Sequence, residues 1–183
     1  MAQEIDVRYP IGKASDQPFS KDGYSEDRKK EYLLEIQQTP ALLESAISNL
    51  DEQQLNTPYR DGGWTLKQVI HHVADSHMNA YMRFKLALTE DNPTIKTYNE
   101  AAWAELSDTK NLPVNISLTL LHALHLRWHE LMKNMSEDDW QKTIYHPEHN
   151  RKITLWDLLK MYAWHGKHHV AHITSLRERM DWY

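Results

Sequence analysis

The fold is decided by residues 65–88, which read TLKQVIHHVADSHMNAYMRFKLAL. Thr65 and Gln68 have the spacing of a capping box, in which each side chain satisfies a free backbone N–H group at the start of a helix. Apolar residues then recur every three or four positions from Leu66 to Leu88. This period predicts a long amphipathic helix that buries one face in a core.

Three further helices are predicted from the same periodicity and from capping residues. Pro40 kinks the first of these helices or opens a fresh turn after it, because proline lacks a backbone N–H group. Residues 90–113 read as an irregular crossover, and residues 142–154 as a small hairpin. The predicted helices run from Ser25 towards Gln38, from Ile116 to Met135, and from about Thr154 to Met180.

These elements predict an all-α fold, a four-helix bundle built from two helical hairpins with a long crossover between them. The length of 183 residues suits one domain, 1–183, with one core. Residues 1–24 show no sustained period and contain prolines and glycines, so we expect an extended N-terminal arm there. The polar N-terminus and the lack of a membrane-length apolar segment predict a cytoplasmic protein with no membrane partner.

The amino-acid composition argues against some partners and excludes some kinds of metal site. A net charge of -5 with no basic cluster argues against a nucleic-acid partner. The chain has no cysteine, which excludes disulfides and thiolate ligands, so any nucleophilic thiol must come from a second substrate. Twelve histidines are unusually many for this length and direct attention to metal binding.

Four of the histidines lie in WHGKHHVAHI, residues 164–173. His165 and His169 fall inside the apolar stripe of the last helix and are one turn apart, so their ring nitrogens can converge on one metal ion. His172 lies towards the edge of the stripe, where it can take a supporting role. His168 lies further round, on a face predicted to be solvated.

Two ligands make a poor site, and the residues leave the third one open. Helix 65–88 offers His71, His72 and His77. His77 lies on the apolar stripe, whereas His72 shares a polar row that faces either solvent or a water-filled cleft. Three histidines of the third helix point away from its predicted stripe and are expected on the surface; they are His122, His125 and His129.

Three segments together resemble the YfiT branch of the DinB superfamily. They are YPIG (residues 9–12), TPYRDGGWTLKQVIHHVADSHMNAYMRFKLALTE (57–90) and WHGKHHVAHI (164–173). The likeness extends over nearly the whole chain, and the block at 57–90 is long and specific. The resemblance implies a four-helix bundle that binds one divalent metal ion per chain through three histidines.

The resemblance also implies which residues bind that ion. One ligand lies eight residues after the tryptophan of the GGWT motif, which is His72, and the other two are His165 and His169. It further implies Zn²⁺ or Ni²⁺ as the metal, a homodimer, and the activity of a metal-dependent hydrolase. Members of this branch in low-GC Gram-positive bacteria resemble bacillithiol S-transferases, which is the sharper expectation.

Three neutral imidazoles leave at least one coordination position open, as in catalytic zinc sites. The leading hypothesis is a transferase in which a metal-bound thiolate of a low-molecular-weight thiol, bacillithiol, attacks a small-molecule electrophile. Arg83 is a candidate to bind a carboxylate of the thiol, although it lies roughly 16 Å along the helix axis from His72. The other candidates for substrate binding are Arg127, Tyr59 and Arg60.

Two alternatives remain. The first is a hydrolase that uses metal-activated water, with Asp75 as a base or as a residue that orients a ligand, one turn from His72. The sequence lacks HExxH, the best-known zinc hydrolase signature, but this does not exclude hydrolysis. The second alternative is a metal-binding or ligand-binding module without turnover.

Overall fold

A computed structural model describes residues 6–17 and 21–183, and the predicted four-helix bundle is confirmed. The N-terminal arm was predicted over residues 1–24, of which 1–5 and 18–20 lie outside the described residues. In chain order the elements are a 3-10 turn (Ala14–Asp16), α1 (Glu26–Ala46), α2 (Glu52–Leu55), α3 (Leu66–Thr89), α4 (Glu100–Trp103), α5 (Ser107–Asn111), α6 (Val114–Lys133), α7 (Glu137–Gln141), β1 (Thr143–His146), β2 (Arg151–Thr154) and α8 (Leu155–Met180).

The order of the long helices around the bundle differs from the prediction. Helix α1 packs against α6 and α8, and α3 packs against the same two helices. Consecutive helices α1 and α3 therefore lie diagonally across the bundle, and the expectation of two packed helical hairpins is wrong. Residues 47–65, which contain α2, are long enough to carry the chain across the end of the bundle, whereas hairpins have short loops.

The capping residues at the helix starts behave as predicted. The Thr65 hydroxyl accepts from the Gln68 backbone N–H, and the Gln68 side chain accepts from the Thr65 N–H. At α8 the Thr154 side chain accepts from the Asp157 backbone N–H. The predicted hairpin also forms, with β1 antiparallel to β2.

Helix α1 runs through Pro40 without ending. Proline has no N–H group to offer the carbonyl four residues earlier, which belongs to Ile36. Opposite this turn, α8 carries Gly166, where an added Cβ would lie 2.5 Å from the Thr39 hydroxyl oxygen. Glycine is therefore required for the close approach of α8 to α1 at this level.

The apolar core is divided into two clusters by a layer of histidines. One cluster contains Phe84, Trp128 and Trp140, and the other contains Leu43 and Leu121. The interval between the clusters is occupied by buried or half-buried histidines on three long helices: His77 on α3, His125 on α6, and His165 and His169 on α8. Within the described residues, no helix is long and apolar enough to cross a membrane.

Candidate metal centre

Three histidines from two helices converge at the middle of the bundle. His72 of α3 and His165 and His169 of α8 each offer a ring nitrogen, and these nitrogens all lie within 4.8 Å of one another. The ring centroids of His72 lie 5.4 Å from His165 and 5.0 Å from His169. The structure thus brings together the three residues that the family resemblance implied.

The local structure fixes these rings in place. The capped start of α3 sets the phase of His72, whose ring packs against Trp64 at a centroid distance of 4.6 Å. One helical turn separates His165 from His169 on α8, so their rings meet edge to face at 4.5 Å. Burial lowers the pKa of His72 to about 4, and it also lowers the pKa values of His165 and His169. All three rings are therefore neutral at pH 7 and offer lone pairs.

A row of hydrogen bonds reaches His165 from the opposite side of the bundle. The Ile36 carbonyl, left free by Pro40, lies 2.6 Å from Nδ1 of His125. Nε2 of His125 lies 2.9 Å from Nδ1 of His77. Nε2 of His77 in turn lies 3.1 Å from Nδ1 of His165. Both ring nitrogens of His77 are thus engaged, which excludes it as a direct ligand in this arrangement.

A shorter row reaches His169 from the N-terminal arm. The Arg8 carbonyl lies 3.1 Å from Nε2 of His172, and Nδ1 of His172 lies 3.3 Å from Nδ1 of His169. The His172 ring is stacked on Tyr59 at a centroid distance of 4.0 Å. The expected supporting role of His172 therefore has a physical basis, and the arm contributes to it through its backbone.

The ring nitrogens of the three histidines are suited to bind a divalent cation. A carbonyl oxygen can only accept, so each row has one consistent direction, with His165 and His169 donating through Nδ1. Their Nε2 atoms then carry lone pairs, and these two atoms lie 3.1 Å apart. Two lone pairs at this distance repel unless a cation or a proton lies between them. Imidazole nitrogen suits Zn²⁺ and Ni²⁺ among the divalent ions.

A cleft of about 500 Å³ leads to one side of this group, and His165 is part of its lining. Arg83 and Tyr162 also line it, and Nη1 of Arg83 donates to the Tyr162 hydroxyl at 3.1 Å. Among residues 6–17 and 21–183, the buried Nε atom of Arg83 has no hydrogen-bond partner. Glu100, further along the same wall, has a pKa raised by burial and held back by the charge of Arg83. Arg83 thus brings a positive charge to the wall of the cleft, where an anionic ligand can bind.

The other predicted site residues lie elsewhere. Asp75 is half-buried, and burial together with Asp108 raises its pKa to about 6. Arg127 is exposed, and its guanidinium lies over the Tyr81 ring. The structure therefore places neither Asp75 nor Arg127 in the lining of the cleft.

Tyr59 and Arg60 support the centre from the side of the arm. Tyr59 is buried beneath the His172 ring, and Nε of Arg60 lies 3.3 Å from the Tyr59 hydroxyl. The positive charge of Arg60 contributes to the lowered pKa of His172, after the larger effect of burial. Tyr59 and Arg60 therefore lie where they can support the His172 ring. The candidate cleft is lined by Arg83 and by neither of these two residues.

Two histidines predicted on the surface are buried, and those predictions are wrong. His125 has spacings of four and three from the buried residues Leu121 and Trp128, a signal that was present in the sequence. The stripe that predicts a surface position for His125 includes Leu120, which is 42% exposed, and without Leu120 the stripe turns towards His125. His168 is buried for a different reason, because its ring packs on Trp164 and against Tyr9 of the arm.

Comparisons with known proteins identify the family of this chain. A model of the DinB superfamily matches residues 35–173. A protein of Bacillus cereus (strain 03BB102) named "Putative metal-dependent hydrolase" is 52% identical over 177 residues, which cover 97% of this chain and 99% of that protein. A protein of Bacillus thuringiensis subsp. konkukian (strain 97-27) with the same description has the same identity and coverage.

Solved structures show the same bundle. YfiT from Bacillus subtilis, described as "a probable metal-dependent hydrolase with an unusual four-helix bundle topology", superposes with a TM-score of 0.92 at 44% identity, covering 98% of this chain and 100% of that one. A mycothiol-dependent maleylpyruvate isomerase superposes with a TM-score of 0.63 at 17% identity, covering 89% of this chain and 63% of that one. This second likeness extends to the fold alone.

Proposed function

Because the chain belongs to the DinB superfamily, we propose that it is a metal-dependent enzyme whose centre is held by His72, His165 and His169. The activity that its site supports best is transfer of a low-molecular-weight thiol, bacillithiol, to an electrophilic small molecule. One observation carries this proposal: the Nε2 atoms of His165 and His169 lie 3.1 Å apart, with His72 beside them and a cleft leading to His165.

The neutral donor set favours an anionic fourth ligand. A divalent ion, Zn²⁺ or Ni²⁺ at one per chain, would keep its full double charge among three imidazoles and would favour the ionised form of a thiol in the open position. The chain has no cysteine of its own to compete for that position. A fold shared with a protein named for its dependence on mycothiol is compatible with thiol chemistry.

The cleft residues provide for binding and orientation. Arg83 is placed in the cleft wall to attract a carboxylate of the thiol, while Tyr162 keeps the guanidinium in position. The sulfur then forms a bond to the electrophilic carbon, and the leaving group departs with its bonding electrons. The thiol proton passes to solvent, because Asp75, the base expected from the sequence, does not line the cleft.

Hydrolysis is the second candidate, and the names of the two Bacillus relatives favour it. Water would take the open position in place of the thiol, and the centre would lower its pKa. Arg83 would then bind an anionic group of an ester or amide substrate. The two activities differ in whether the product contains the thiol.

The test is a thiol-dependence assay on zinc-loaded and nickel-loaded protein. Bacillithiol and monochlorobimane are incubated with wild type, with His72→Ala, and with wild type plus a chelator. Conjugation above background in wild type, but not in His72→Ala or in wild type with chelator, supports the transferase. Ester cleavage that persists without thiol, together with no conjugation, supports the hydrolase. Metal binding with neither activity leaves a binding module.

We also propose that two chains assemble as a homodimer, as the family resemblance implies. Light scattering on the protein as it elutes from a size-exclusion column should give a molar mass twice that of one chain. A mass of one chain at concentrations up to about 100 μM, a range in which weak association is detected, would contradict it.

A further inference from the structure

We propose that His77 and His125 are positioning residues of the metal centre, which act through a one-directional row of hydrogen bonds that begins at the Ile36 carbonyl and ends at Nδ1 of His165. The row holds Nε2 of His165 unprotonated and turned towards His72 and His169. This inference rests on the proposed metal site and adds to it two residues that touch no metal.

The row starts at a carbonyl that the helix itself cannot satisfy. In an unbroken α-helix the Ile36 carbonyl would accept from the N–H group of residue 40, and Pro40 has none. Nδ1 of His125 lies 2.6 Å from this oxygen and takes the vacant place. The proline within α1 therefore gives the row a fixed acceptor at its far end.

The acceptor determines the direction of every later bond. His125 must donate through Nδ1, so its Nε2 is unprotonated and accepts from Nδ1 of His77. Nε2 of His77 then accepts from Nδ1 of His165. All three rings are fixed as Nδ1–H tautomers, and the last lone pair, on Nε2 of His165, is the one offered to the metal.

The two inner rings of the row are buried, so water does not compete for their hydrogen bonds. His77 and His125 are 0% and 2% exposed. The two rings stack at a centroid distance of 5.0 Å, and the Trp128 ring meets each of them edge-on at 5.8 Å. A ring rotation at either position would leave two buried nitrogens without partners, which costs free energy.

The test changes His125, because the whole ring of His77 lies between His125 and the ligand His165. A substitution at His125 therefore removes no direct ligand. His125→Phe keeps the size of the ring and removes its donor and acceptor. His125→Gln keeps a donor and an acceptor on one planar group. The matched control is His71→Phe, since His71 is also buried and bonded at both nitrogens, to Ser117 and to the Leu112 carbonyl, but lies outside the row.

The measurement is zinc affinity, from competition with a chromogenic chelator. We expect His125→Phe to bind zinc about 10- to 100-fold more weakly than wild type, as is typical when the partner of a ligating histidine is lost. His125→Gln should recover most of the affinity, and His71→Phe should retain it. Wild-type affinity in His125→Phe would overturn the inference, and so would an equal loss in His71→Phe. Absence of zinc binding in wild type would instead refute the proposed metal site.

A second measurement needs no variant, so it applies even if His125→Phe does not fold. Long-range ¹H–¹⁵N NMR of zinc-loaded wild type reports which nitrogen of each histidine carries the proton. We expect His77 and His125 both as Nδ1–H tautomers, although free histidine prefers Nε2–H. A proton on Nε2 of either residue would reverse the row and overturn the inference.

Discussion

His168 and His169 are neighbours on α8, and the distinction between them tests the site at the scale of single residues. His169 offers one of the three converging nitrogens, whereas His168 packs between Trp164 and Tyr9.

Alanine at His72, His165 or His169 should weaken zinc binding by more than about 100-fold, because each substitution removes a direct ligand. His168→Ala should lose stability but keep its zinc. Zinc content equal to wild type in all three ligand variants would contradict the assignment.

Arg83 and Arg127 form a second matched pair. Arg83 lines the cleft, whereas Arg127 is exposed and its guanidinium lies over the Tyr81 ring. Arg83→Gln should raise KM for the thiol by about 10- to 100-fold, the typical effect of losing a hydrogen bond to a charged group. Metal content should not change, and Arg127→Gln should have wild-type kinetics. An unchanged KM in Arg83→Gln would remove this residue from the binding site.

The residues of the centre were predictable to different degrees. His165 and His169 follow from helical phase, since both lie in the stripe of α8. Phase could not choose His72 over His77, because both are buried and the choice depends on where α8 lies. The role of His125 depends on its partner across the bundle, the carbonyl freed by Pro40, and no local pattern contains that contact.

At the scale of elements, the close contact between α1 and α8 makes a specific prediction. A Cβ on Gly166 would lie 2.5 Å from Oγ1 and 2.8 Å from Cγ2 of Thr39. Gly166→Ala should therefore lower the free energy of unfolding by about 1–3 kcal/mol, as is usual for overpacking. Adding Thr39→Ala should restore most of this loss, because it removes the two nearest contacting atoms, Oγ1 and Cγ2, and leaves only Cβ at 3.2 Å. A double variant no more stable than Gly166→Ala in urea denaturation would contradict the contact.

The elements themselves were largely readable from the sequence, but their arrangement was not. Capping residues and periodicity located α3, α8 and the hairpin within a few residues. The diagonal placement of α1 and α3 depends on which helix faces bury the most apolar surface together. Residues 47–65 are long for a hairpin loop, but this length alone does not determine which helices α3 packs against, so local signals did not decide the arrangement.

At the scale of the whole molecule, the buried histidines make the stability of the metal-free protein depend on pH. Burial lowers the pKa of His72 and His125 to about 4 and of His168 to about 3, from 6.5. The unfolded chain therefore takes up protons below pH 6.5 that the folded chain takes up only near pH 4. Stability is fully present above pH 6.5 and should fall by several kcal/mol towards pH 4.

This prediction is checked by urea denaturation of metal-free protein between pH 7.5 and pH 4. Asp75 acts in the opposite sense, because its pKa is raised to about 6, and it offsets part of the loss below that pH. His125→Gln should show a shallower dependence than wild type, since one of the buried histidines is gone. A flat profile in wild type would show that these rings are not held neutral by burial.

We infer that one divalent ion is held between His72, His165 and His169. The most direct test is anomalous diffraction at the zinc or nickel absorption edge from crystals of metal-loaded protein. We expect one strong peak per chain, about 2.0–2.1 Å from Nε2 of His165, from Nε2 of His169 and from one ring nitrogen of His72. A peak bound by His77 in place of His72, or no peak at these residues, would contradict it.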